Sequence, residues 1–119
     1  QIEKLGQWTK GKSADTFGPT GPYLVTQDEI TDINNLNLTL DVNGKKMQSG
    51  NTKNMIFNTN FIVSYLSKFM SLQPGDLITT GTPAGVGMGM KPQVFLKSGD
   101  NIKLSIDLLG EQNLKVVIK

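Results

Sequence analysis

Leu36-Asn-Leu-Thr-Leu-Asp-Val-Asn-Gly-Lys-Lys-Met-Gln-Ser49 is the stretch on which the fold turns. Leu36, Leu38, Leu40 and Val42 alternate with polar residues, the period of a strand that buries one face. Asn43-Gly44 follows at once, and both residues tolerate the positive φ angles of a type I′ turn. Lys45 to Ser49 is therefore predicted to return antiparallel beside the first strand.

The pattern recurs at the end of the chain. Ile102, Leu104, Ile106 and Leu108 alternate, as do Leu114, Val116 and Ile118, with Gly110-Glu111 between them. A second hairpin is expected there. Two similar turns lie further upstream, Leu72-Gln-Pro-Gly-Asp-Leu-Ile78 and Leu96-Lys-Ser-Gly-Asp-Asn-Ile102. Each is read as a tight turn feeding a strand, and Tyr23-Leu24-Val25 as a further brief strand. One helix is predicted over Thr59 to Met70, with Asn58 as its N-cap. Phe61, Ile62, Tyr65, Leu66 and Phe69 fall on one side of it and are read as core packing. Thr26 to Glu29 matches a capping box and predicts one further helical turn. The fold class is mainly β with one α-helix, in a single domain.

Composition narrows the chemistry. The 119 residues suffice for one domain, and 37% apolar with 18% charged residues describes a globular chain. The net charge is +2 and all the positive charge is lysine, too little to argue for nucleic acid, which calls for a clustered basic face. No apolar run approaches the ~20 residues of a membrane span. Cysteine and histidine are both absent, so disulfides, thiol chemistry and Ser-His-Asp triads are excluded within the chain. A cytoplasmic location fits the lack of cysteine. Gln1 is not a natural start, so an N-terminal part is expected to precede it.

Two segments carry candidate chemistry. Thr79-Thr-Gly-Thr-Pro-Ala-Gly-Val-Gly-Met-Gly-Met90 follows the apolar Leu77-Ile78. Small and hydroxyl-bearing residues at a strand end offer backbone N–H groups and short donors to an anionic or carbonyl oxygen. The alternative is a plain surface loop. Gly11 to Pro22 is read as an ordered loop rich in Gly, Pro, Ser and Thr. Gly6-Gln-Trp-Thr-Lys-Gly-Lys-Ser13 fits the letters of a P-loop, but no strand-like segment precedes it, and the prolines and glycines after it deny the required helix. Gly85-Val-Gly-Met-Gly89 fails as a dinucleotide motif because its third glycine comes one residue early. Asp28 and Glu29, the only adjacent acid pair, are read as a solvated turn.

Four stretches together resemble the fumarylacetoacetate hydrolase family. They are Gly11 to Pro22, Gln48-Ser-Gly-Asn-Thr52 with Met55-Ile-Phe57, Leu72-Gln-Pro-Gly-Asp76, and Thr80-Gly-Thr-Pro-Ala-Gly-Val-Gly87. The likeness is closest to bacterial 2-hydroxyhepta-2,4-diene-1,7-dioate isomerases and acylpyruvate hydrolases. It implies a mixed β-sandwich roll, a homodimer and a small 2-oxo acid substrate. It also implies Mg²⁺, Mn²⁺ or Ca²⁺ held by two Glu and one Asp upstream of Gly11-Lys12-Ser13. Glu3 matches none of the three. The chain is thus expected to be the C-terminal portion of a catalytic domain, without the metal ligands and inactive by itself.

By position, the resemblance carries a substrate-facing lysine onto Lys12 and the substrate-oxygen loop onto Gly81 and Thr82. Thr16 lies near a cation-binding position of some members. The apolar Val94-Phe95-Leu96 stands where a hydrolase subtype has an acidic residue, and argues against that subtype. The chemistry of the residues agrees for Lys12: reactions beside a carbonyl build negative charge on oxygen, and an ammonium stabilises it. A solvated loop lysine is the other reading of Lys12. For Thr82 the other reading is a turn hydroxyl bonded to its own backbone. Asp15 either orients Lys12 or caps the loop.

Overall fold

The computed structural model describes residues 6–118, so Glu3 and its neighbours lie outside the described residues. A four-stranded antiparallel sheet dominates it. β1 (Asn37–Val42), β2 (Lys45–Asn51), β3 (Asn101–Ile106) and β4 (Gly110–Lys115) stand in the order β2-β1-β3-β4. The mainly β expectation is what the structure shows. Asn43 and Gly44 take φ of 51° and 79°, as a type I′ turn requires. The second hairpin also forms, but its turn falls at Asp107–Leu109, so Gly110 and Glu111 belong to β4 rather than to the turn.

The register separates the two faces of the sheet. Leu38, Leu40 and Val42 stand opposite Ile106, Leu104 and Ile102. Ile102 in turn faces Leu114. These residues share one apolar face, since cross-strand partners point the same way. The other face is polar: Thr39 and Ser105 join their hydroxyls at 3.0 Å, and Lys103 pairs with Glu111 at 2.8 Å. Leu36, 6% exposed at the foot of β1, is the one buried apolar residue among the described residues. It exchanges bonds with Thr52, its N–H donating to the hydroxyl and its carbonyl accepting from the Thr52 N–H, both at 2.9 Å.

The pairing of β2 with β1 is interrupted once. Leu40 stands opposite Gln48, and Asp41 opposite Lys46, so Met47 has no partner on β1. This is a β-bulge, an extra residue that re-aims the side chains beyond it.

Several local expectations are corrected. The predicted helix is α2 (Thr59–Leu66), four residues shorter than expected; Asn58 caps it as predicted, its Oδ1 accepting from the Phe61 N–H at 2.8 Å. Its aromatic side is not core. Phe61 is 49% exposed and Phe69 68%, and with Phe57 and Tyr65 they form a ladder of rings 4.8–6.1 Å apart. Among the described residues the strands pack chiefly on one another, and none is laid extensively against this side. Leu77-Ile78 and Tyr23-Leu24-Val25 are not strands, because neither has a ladder partner among the described residues. A short helix, α1 (Trp8–Lys12), occupies the middle of the P-loop-like letters instead of following them. The Ser13 hydroxyl, at its C-cap, donates back to the Thr9 carbonyl at 2.6 Å. Thr26 to Glu29 does turn, as a 3₁₀ element over Gln27–Glu29, but the Thr26 hydroxyl reaches Glu29 Oε1 at 3.4 Å rather than a backbone N–H.

Candidate functional site

The Gly81 to Gly89 segment is built onto β2. Gly50 stands opposite Leu38 on the apolar face, and a Cβ there would lie 2.9 Å from Pro83 Cβ, so glycine admits the proline ring. A Cβ on Gly85 would fall on the Met47 carbonyl oxygen, at the bulge, and Gly85 also takes φ +110°. Only glycine fits both demands. Gly87 meets the Val94 carbonyl as closely, and the Val94 N–H donates back to the Gly87 carbonyl at 3.1 Å. Gly85 and Gly87 are therefore packing contacts between backbones, and a 3₁₀ turn over Gly87–Gly89 ends the segment.

Gln48 ties the segment down. Its Nε2 donates to Thr82 Oγ1 at 2.8 Å and to the Pro83 carbonyl at 2.9 Å. The bulge supplies this geometry, since it turns half-buried Gln48 onto the face where Pro83 sits. Thr82 itself is exposed, and so is Gly81 with φ +94° and no atom within 4 Å of a Cβ built on it. Among the described residues the Thr82 hydroxyl makes no bond to its own backbone, so the turn-hydroxyl alternative is not the one realised. Gln48 is the residue that sequence reasoning passed over. It lay within a recognised stretch, but an unbulged hairpin would turn it to the other face.

The loop that carries Lys12 docks at the other end of the same face. Gln112 Nε2 donates to the Gly21 carbonyl at 2.7 Å, and a Cβ on Gly110 would lie 2.8 Å from Tyr23 Oη. Both contacts are with β4. The anchors of the two loops are thus on the two outer strands, three strand spacings or about 14 Å apart. Lys12 ends α1, with Nζ 5.7 Å from the centre of the Trp8 ring. No hydrogen bond or ion pair among the described residues joins it to Gly81 or Thr82. Thr16 has φ +69° in the turn closed by the Phe17 N–H on the Ala14 carbonyl, a conformation rare for a β-branched residue. Asp15 sits in the same turn.

Among the described residues no three His, Cys, Asp or Glu side chains gather in a group able to hold a metal ion. A divalent ion does not fit this segment's own donors: Thr16, Thr82 and Gly81 offer neutral oxygens with no carboxylate cluster beside them. A shallow concavity of about 400 Å³, lined by Asp41, Ile102, Lys103 and Leu114 among others, lies away from all four candidate residues. It is an open dip on the sheet surface, and the chemistry of the loops makes them the better candidate. No helix of the described residues is long and apolar enough to cross a membrane.

Comparison with known proteins identifies this architecture. A protein of Burkholderia ambifaria, provisionally named a hydrolase, is 60% identical over 113 residues, which cover 94% of this chain and 40% of that protein. The fumarylacetoacetate hydrolase of psychrophilic Exiguobacterium antarcticum superposes with a TM-score of 0.89 at 44% identity, over 92% of this chain and 39% of its own. The 2-hydroxyhepta-2,4-diene-1,7-dioate isomerase of Mycobacterium marinum gives 0.82 at 42%, over 94% and 40%. Maleylpyruvate hydrolase of Sphingobium sp. SYK-6, in complex with manganese(II) and pyruvate, gives 0.80 at 38%, over 87% and 37%. The chain spans about 40% of the length of the curated relatives it matches. The profile described as fumarylacetoacetate (FAA) hydrolase C-terminal matches residues 1–117, and the chain belongs to the fumarylacetoacetate hydrolase family.

Proposed function

We propose that this chain is the C-terminal portion of a divalent-metal-dependent enzyme acting on small 2-oxo or 2-hydroxydienoic acids. The reaction class is isomerisation, C–C bond hydrolysis or decarboxylation, each of which builds negative charge on an oxygen beside the reacting carbon. The observation that carries the reading is the exposed Gly81-Thr82 corner, braced from below by Gln48 and Pro83. It holds a hydroxyl oxygen at a fixed point on an exposed residue, as oxygen recognition needs. Lys12 supplies a positive charge for the same oxygens from the other loop. The metal, Mg²⁺ or Mn²⁺, would polarise the carbonyl as a Lewis acid, on carboxylates outside this segment. Support for a divalent ion comes from the manganese and pyruvate found in the Sphingobium structure. Thr16 is at most an outer contact to such an ion. A cytoplasmic homodimer completes the proposal.

The test is to assay the complete protein, loaded with Mg²⁺ or Mn²⁺, on acylpyruvates, oxaloacetate and hydroxymuconate-type diacids. Turnover of at least one is expected, and none on any would sink the reading. Lys12→Met should lower turnover by ~10²–10³-fold, the cost of one preorganised electrostatic donor. An unchanged rate would remove Lys12 from the mechanism.

A second reading is favoured by the exposed ladder Phe57, Phe61, Tyr65 and Phe69: a non-catalytic β domain serving folding or association. Titrating this segment alone with Mn²⁺ separates the two possibilities for the ligands. Tight stoichiometric binding would show that they lie within residues 1–119, against the proposal.

A further inference from the structure

We propose that Gln48 is a positioning residue that sets the direction of the Thr82 proton, making Thr82 a hydrogen-bond donor toward substrate. The inference rests on the reading of Thr82 as an oxygen ligand.

The two ends of an amide side chain are told apart by their partners. The Pro83 carbonyl can only accept, so the Gln48 atom 2.9 Å from it is the NH₂ group. The same nitrogen lies 2.8 Å from Thr82 Oγ1, within reach of its second hydrogen. The hydroxyl is thereby fixed as an acceptor on its inner side. Its own proton is left for the outer side, where Thr82 is exposed and where no hydrogen bond among the described residues uses it. A carboxylate or enolate oxygen accepts such a proton, whereas a cation or an N–H donor does not. The amide also polarises the hydroxyl, because bonds in series strengthen one another. Thr82 is followed by proline, which has no N–H, so the backbone of residue 83 offers no competing donor.

The bulge makes this arrangement possible. Because Met47 is passed over, Gln48 stands opposite Leu40 and Gly50 opposite Leu38. One residue thus reaches the loop with its amide while the other clears room for the Pro83 ring. Gly85 against the Met47 carbonyl fixes the loop's height above the strand. Gln48 touches no reacting atom in this scheme. It acts through Thr82, and its effect should vanish when the Thr82 hydroxyl does.

The experiment measures pyruvate affinity of the complete Mn²⁺-loaded protein by calorimetry, for the unmodified protein, Gln48→Glu, Gln48→Leu, Thr82→Val and the two double variants. Glutamate at neutral pH only accepts, so it draws the Thr82 proton inward and takes it from the ligand. Leucine leaves the hydroxyl free to rotate. Thr82→Val should weaken pyruvate about tenfold or more, the loss of a bond to a charged acceptor. Gln48→Glu should weaken it about as much, and Gln48→Leu less. In the Thr82→Val background both should change affinity less than about twofold, since residues acting in series are not additive. Equal effects of the Gln48 variants in both backgrounds would overturn the inference and leave the reading of Thr82 standing. Pyruvate binding unaffected by Thr82→Val would overturn that reading and the inference with it.

Discussion

Gln73-Pro-Gly-Asp76 and Lys97-Ser-Gly-Asp100 are nearly the same turn. In each the aspartate N–H donates to the carbonyl three residues back at 3.1 Å. Its carboxylate accepts from that residue's N–H, at 2.8 Å in the first and 2.7 Å in the second. Gly75 and Gly99 take φ of 97° and 91°. Yet the second turn opens β3, paired on both sides, and the first opens Leu77–Thr80, which pairs with nothing among the described residues. Leu77 is 73% exposed. Identical local chemistry therefore makes a strand only where a partner presents its backbone. Unsatisfied N–H and C=O groups leave the other segment irregular.

Proline substitution is the sharpest way to break that comparison. Ile102 and Ile78 hold the same place after their turns, and both are half-buried. Ile102→Pro removes a ladder bond in a central strand and should cost about 3 kcal/mol or more in urea unfolding. Ile78→Pro should cost less than about 1 kcal/mol, as at sites outside a ladder. Equal costs would show that Leu77–Thr80 is paired in solution.

The next effect concerns how an unpaired segment is held without a ladder. Gly85→Ala combines a forbidden contact with the Met47 carbonyl and a positive φ, and should destabilise by about 2–3 kcal/mol. Gly81→Ala carries the positive φ with open space around it, and should cost about 1–2 kcal/mol. Faster amide exchange around Thr82 in the Gly85 variant would mark the loop's release; unchanged exchange would mean that the close approach is not what anchors it.

A smaller effect separates the two aspartates. Asp100 also accepts from Asn43 Nδ2 at 2.9 Å, which ties its turn to the first hairpin. The Lys97 backbone N–H, and after it the Asn43 amide, hold the Asp100 carboxyl below the usual carboxylate range. The folded state prefers the charged form, so this contribution is complete above the ordinary value of 3.8 and fades as pH falls below it. Asp100→Ala should lower the unfolding midpoint more than Asp76→Ala and flatten its dependence on pH below about 4. The reverse order would mean that the Asn43 bond contributes nothing.

The smallest effect belongs to Lys103 and Glu111, an exposed pair across β3 and β4. Their bond raises the lysine's affinity for its proton and lowers the glutamate's. Glu111→Gln should shift the midpoint only slightly, and by less in high salt. A shift as large as that of Asp100→Ala would put the sheet's polar face on a level with its turns.

Much of the fold was legible because it is local. Alternating apolar residues around Asn43-Gly44 predict β1 and β2, and the same period predicts β3 and β4. Asn58 announces its helix through a bond that needs only neighbours. The failures share one cause. Among the described residues Leu77-Ile78 and Tyr23-Leu24-Val25 have strand composition but no partner, and the aromatic side of α2 has helical spacing but stays largely exposed. Partnership is a property of distant chain, not of the segment.

The candidate site divides in the same way. The sequence by itself determined that Gly81 and Thr82 are small and hydroxyl-bearing and that Lys12 brings charge from a separate segment, because residue type suffices for that, whereas the loop expected from Gly11 begins only after Lys12, which ends α1. Only the tertiary structure decided which residues stand behind them. A two-residue turn without a bulge puts Met47 opposite Leu40 and Ser49 opposite Leu38. The extra residue at Met47 shifts Gln48 and Gly50 into those places. A slip of one residue exchanges the faces of a strand, and no pattern in Lys45 to Ser49 fixes where it occurs. The docking of Pro83 and Gly85 on β2 makes the bulged register the one that fits.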